Sequence, residues 1–180
     1  MRKQVYIFIL VAIPVFSFAQ TLDRQQLRSY FVEAAHRRSA LDSFINVIGQ
    51  KSMTPYEECY LGICDGLEIQ YIGSMWGKYK MLDKSRGHIN AAIQKDPKDP
   101  EMRFIRFMLE HNIPAFLGMS THIQGDLAYI FEHIDFLDDS PDMKKMAMEF
   151  IISSNRCSTD QRQLAERTIS DLNKRMYALR

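Results

Sequence analysis

The 180-residue sequence is short of several things at once, and each shortage closes a class of explanation. Neither charge is in excess, since 23 lysines and arginines face 22 aspartates and glutamates. Binders of nucleic acid or of anionic membranes usually carry a basic surplus, so neither partner is expected. Cysteines number only three, Cys59, Cys64 and Cys157, which leaves at least one thiol unpaired. No segment is rich enough in glycine and serine to separate domains, and none alternates with period two between hairpin turns as strands do. Gly-x-Ser-x-Gly, His-Glu-x-x-His and Cys-x-x-Cys are all missing, so the common local signatures of hydrolases, zinc proteases and thiol redox proteins are absent. No catalytic residue and no cofactor is assigned, and a non-catalytic role is expected. An enzyme site assembled from distant helices would leave no such local mark.

What is present begins with an export pattern. Arg2 and Lys3 precede an apolar run from Val5 to Phe18, followed by Ala19 and then the polar residues Gln20 and Thr21. This is the order of a signal peptide, residues 1–19, with removal expected after Ala19. The run is interrupted by Pro14 and falls short of the roughly 20 apolar residues that span a bilayer. With no cysteine at the cut, no lipid tether is expected either. The remaining chain, 20–180, carries 21 basic against 22 acidic residues and has the length of one domain, in the periplasm or secreted.

Apolar residues recur at helical spacing almost everywhere, which predicts an all-α fold of about seven helices. The first is expected from Asp23 to Ile48, with Leu27, Phe31, Ala34, Leu41, Ile45 and Ile48 on one face. A second starts at Thr54-Pro55-Tyr56-Glu57, where a capping box and a proline at the first position coincide. Others follow at about 78–95, 100–111, 120–137, from Pro141, and from Ser158 with Gln161 closing a second box. Short connections favour antiparallel neighbours, so the plan is one lead helix followed by three pairs. If Cys59 and Cys64 share a helix, about 7.5 Å of rise and roughly 140° of rotation part them, too far for a disulfide. A bridge from Cys157 to either one stays open, beside the alternative of buried free thiols.

Two stretches carry a family likeness. Ala92-Ile93-Gln94-Lys95-Asp96-Pro97 resembles the close of a tetratricopeptide repeat, and Leu61-Gly62 resembles the leucine-glycine of the repeat's first helix. Glu58 and Asp65 stand where the repeat has tryptophan and tyrosine, and the span from Leu61 to Pro97 is about eleven residues too long. The likeness covers Thr54 to about Pro100. It implies degenerate helical hairpins stacked in a right-handed array, holding a protein or peptide on a concave surface. The chain is also similar to small exported helical proteins of bacteria whose family is uncharacterised.

Several residue groups are candidates for such a surface. Trp76, the only tryptophan, and Tyr79 fall in an expected loop, 73–79, and suit either a partner anchor or a cover over the core. Arg103, Arg106 and Glu110 line one side of a helix, ready for an acidic peptide or for one another. Gly62, Gly66 and Gly73 form a bare strip, which suits either a closely packed helix or a groove. His122 and Asp126, one turn apart, are the weak metal candidate, with His111 or Glu110 as helpers; the alternative is a polar shoulder. The leading expectation is a binding or adaptor protein that engages a protein or peptide near Trp76, Arg103 and Arg106. A small metal-dependent or hydrolytic enzyme, and a carrier of lipid or another small ligand, are the alternatives.

Overall fold

Capping side chains decide where the helices begin. Asp23 accepts from the Gln26 amide at 2.7 Å while the Gln26 side chain accepts from the Asp23 amide, a capping box at the start of α1 (Arg24–His36). The second helix, α2, spans Arg38–Ile48. Thr54 and Glu57 form the expected box at the start of α3 (Pro55–Glu68), which tightens into a 3-10 turn at Ile69–Tyr71. Ser74 caps α4 (Met75–Lys95), and Asp99 accepts from two amides at the start of α5 (Pro100–His111). A 3-10 turn at Ala115–Leu117 leads to α6 (Ile123–Glu132), followed by α7 (Pro141–Ser153) and α8 (Thr159–Ala178). Ser158 and Gln161 make their box at the start of α8. The computed structural model describes residues 22–49 and 53–178, and among these no strand occurs. The signal peptide expected at 1–19 lies outside them.

Three boundaries differ from the sequence expectation. The single helix predicted over 23–48 is broken at Arg37, whose backbone is extended at φ −141°. The reason is length. One continuous helix would be about 37 Å long, whereas the 14-residue α3 beneath it is about 21 Å. Folding back at the polar stretch His36 to Ser39 lets Leu27, Phe31 and Ala34 share α3 with Leu41, Phe44 and Ile48. Trp76, expected in a loop, lies in the first turn of α4 because Ser74 caps that helix ahead of Gly77. The helix expected to run to Leu137 stops at Glu132, where His133 Nδ1 bonds the Tyr129 carbonyl; turns then carry Phe136 and Leu137 into the core.

The break at Arg37 turns the plan of one lead helix and three pairs into four consecutive pairs among the described residues: α1 with α2, α3 with α4, α5 with α6, and α7 with α8. The first helices of the pairs also meet one another, α1 on α3 and α3 on α5. Phe150 of α7 completes the row, edge-on to Phe104 and Phe107 of α5. One contiguous apolar cluster runs from Leu27 to Ala165.

At their N-terminal ends these first helices are tied by charge. Arg28 is buried and donates from Nε and Nη2 to the Glu101 carboxylate at 3.0 and 2.8 Å, and from Nη1 to Asp139 at 2.9 Å. Tyr60 donates to Glu101 at 2.8 Å, and Arg24 reaches Asp99 at 2.5 Å. Burial opposes the charge on Arg28, but its bonds to Glu101 and Asp139 outweigh burial and raise its pKa above the ordinary value.

The closest approach lies between α3 and its neighbours. A Cβ on Gly62 would come within 2.6 Å of Ile89 Cγ1 and 3.0 Å of the Ser85 carbonyl, and Ser85 donates to the Gly62 carbonyl at 2.6 Å. Gly87, on α4, has open space where a Cβ would go. Gly62→Ala therefore destabilises the protein by about 1–3 kcal/mol, whereas Gly87→Ala stabilises it by roughly 0.5–1 kcal/mol. Urea unfolding of the two variants checks both signs, and equal shifts would contradict the packing described.

Candidate functional site

Clamped at one end, the first helices leave a groove at the other. A cavity of about 350 Å³ takes a wall from each of them: Phe31 of α1, Ile63 and Gly66 of α3, Met108 of α5 and Phe150 of α7. A second space, also about 350 Å³, lies around the edge of α3 and α5, lined by Tyr79 and Leu82 of α4 and by Ile113 and Phe116. Gly66, Gln70, Leu109 and Asn112 line both, so the two spaces of the groove adjoin across these four residues, its saddle. Glycine at 66 lets Leu109 of α5 lie close against α3 at the saddle, because a Cβ there would press on Leu109 Cδ1 at 2.9 Å.

The rim is unusually apolar for a surface. Met75 is 75% exposed, Trp76 66% and Phe116 80%. Trp76 stacks on Tyr79 with ring centroids 5.7 Å apart, and Lys80 lies over the indole at 5.3 Å. A contiguous exposed apolar patch with a polar edge marks a place where something binds. Lys84 and Lys95 on the same helix pair with Asp65 and Glu58, at 2.9 and 2.6 Å. Lys78 is half-buried at the groove wall and has no ion pair among the described residues.

Of the residues singled out from sequence, Trp76 and Tyr79 belong to this rim, while Arg103, Arg106 and Glu110 do not. Arg106 is buried and holds Asp126 through two bonds of 2.8 and 2.6 Å, with Asn90 as a further partner. Arg103 reaches the same carboxylate at 3.3 Å and lies over the Tyr129 ring at 4.2 Å. Glu110, also buried, accepts from the His122 amide at 2.8 Å and bonds His122 Nδ1 at 2.6 Å. These charges fasten α5 to α6 and are not offered to a ligand.

The same bonds occupy the metal candidates, Asp126 with arginines and His122 with Glu110. Among the described residues no three His, Cys, Asp or Glu side chains are arranged to hold a metal ion. Gly62 and Gly66 are both sites of close approach, Gly66 at the groove as well, whereas Gly73 has open space around it. Cys59, Cys64 and Cys157 are free thiols. Burial pushes the Cys59 thiol well above its usual range, with Asp99 and Glu101 adding to the effect, and burial does the same to Cys64; neither is an active nucleophile near neutral pH.

Met75, Phe116 and the amides Gln70 and Asn112 were not among the sequence candidates. The available signal was the Pro114 to Gly118 stretch, where an aromatic stands between a proline and a glycine that adopts φ +62°. No protein-family model, curated protein or solved structure matches the chain.

The two classes of candidate respond differently to substitution. Asp126→Asn leaves the Arg106 charge buried without its counter-charge and costs roughly 3–5 kcal/mol. Trp76→Ala, at the exposed rim, changes stability by less than about 0.5 kcal/mol. Chemical denaturation of both variants measures this, and a stable Asp126→Asn protein would show Arg106 to be free for other partners.

Proposed function

We propose that this chain is a non-catalytic binding or adaptor protein that takes a protein or peptide segment in the groove beside Trp76, Tyr79 and Phe116. The observation that carries the reading is that the first helix of every pair supplies a wall to one groove, and that the groove opens onto exposed aromatic side chains. A stack resembling tetratricopeptide proteins holds its partner on a concave helical surface, and the order of the pairs supports the same placement here. The leader pattern at residues 1–19 supports action outside the cytoplasm, in the periplasm or beyond the cell. Among the described residues no helix is long and apolar enough to cross a membrane. The metal-dependent or hydrolytic alternative loses support because His122 and Asp126 are engaged elsewhere.

A photo-crosslinking amino acid placed at Gln70, in the groove, and separately at Lys174, on exposed α8, tests the reading in expressing bacteria. Protein adducts are expected from position 70 only, and Tyr79→Ser with Phe116→Ser should remove them. Absence of adducts at 70, equal adducts at 174, adducts that persist in the double variant, or adducts made only to lipid would each overturn it.

A further inference from the structure

The polar groups set into the groove narrow down its occupant, provided that the groove is the binding surface proposed above. Gln70 and Asn112 stand at the saddle, each lining both spaces. Gln70 Nε2 donates to the Leu67 carbonyl at 3.0 Å and Asn112 Nδ2 donates to the Met108 carbonyl at 2.8 Å. Those bonds fix the amides and leave each with a carbonyl oxygen and a second N–H for a ligand. An extended peptide presents the matching pair, a backbone N–H and C=O with no partners of their own. A helix has already satisfied its backbone internally, and an acyl chain has no such groups.

Charge supplies the second restriction. Among the described residues Lys78 is the only charged one lining either space, and no carboxylate pairs with it. A half-buried lysine beside apolar walls favours an anion brought by the occupant, through a charge-assisted bond stronger than a neutral one. We infer that the groove takes an extended peptide segment with apolar side chains in the two spaces and an acidic side chain that reaches Lys78. Trp76 and Tyr79, next to Lys78 on α4, then flank the acidic end, while Phe31 and Phe150 enclose the far one.

Selection from a random peptide library displayed on phage tests this without presuming a sequence. On the full chain, immobilised through its C-terminus, enriched peptides should combine apolar residues with an aspartate or glutamate on one side, and lack apolar spacing at i, i+3 and i+4. Selection on Lys78→Glu should exchange the acidic residue for a basic one, and an acidic peptide selected on the unsubstituted protein should bind Lys78→Glu about tenfold more weakly. Gln70→Trp, which fills the saddle from an exposed position, should abolish enrichment. Peptides with helical periodicity, or an unchanged composition on Lys78→Glu, would overturn the inference while leaving the groove reading intact if Gln70→Trp still blocks capture. Capture that survives Gln70→Trp would overturn the groove reading itself, and no enrichment on the unsubstituted protein would overturn both.

Discussion

The guanidinium of Arg28 sits where three helix pairs meet the approach to the fourth, and its bonds determine which helices are neighbours. It joins α1 to Glu101 on α5, through Glu101 to Tyr60 on α3, and by its remaining nitrogen to Asp139 ahead of α7. A buried ion pair of this kind adds little net stability compared with a well-packed apolar replacement, but removing one partner alone is expensive. That asymmetry is what makes it a constraint. Any arrangement that separates Arg28 from Glu101 strands a charge in the core, so alternative stackings of these helices are penalised even where their apolar faces fit equally well.

With the N-terminal ends fixed, the character of the other ends follows. Phe31, Ile63, Met108 and Phe150 come from the C-terminal halves of the same four helices and enclose a groove between them. Gly62 and Gly66 allow α3 to lie close to Ile89, Ser85 and Leu109, so the wall shared by the pairs is thin at the point where the groove passes over it. A second set of bonds, between the buried Arg106 and Asp126 and between the buried Glu110 and the partly exposed His122, fastens α6 to α5. Charge therefore works inside this protein as fastening, while the surface beside the groove is aromatic and carries Lys78 and Lys80, neither in an ion pair among the described residues.

Much of the fold was legible in the sequence because its signals are local. Thr54 with Glu57, Ser158 with Gln161, and the prolines at 55, 100 and 141 fix helix starts by bonds or ring constraints within one turn. What was not legible depends on distance in the chain. The apolar rhythm from Leu27 to Ile48 is continuous, and only the shortness of α3 explains the break at Arg37. The partners of Arg103, Arg106 and Glu110 were hidden for the same reason. Their partners Asp126 and His122 lie 12 to 23 residues away, on α6 or at its start, so a charged helix face and a set of interhelical fasteners look alike in one dimension. Trp76 and Tyr79 were visible as large aromatics, but the groove beside them needed Gln70, Asn112 and Phe116 to come together from separate segments.

Because the placement of the helices, and with them the groove, depends on the clamp, a double-mutant cycle between Arg28 and Glu101 tests the account most directly. Denaturant unfolding is measured for the unsubstituted protein, Arg28→Met, Glu101→Gln and the pair together; the glutamine keeps an acceptor for Tyr60. Each single substitution should cost roughly 3–5 kcal/mol. The double variant should cost less than their sum by about 1 kcal/mol or more. Strict additivity, or single substitutions tolerated without loss, would contradict the clamp.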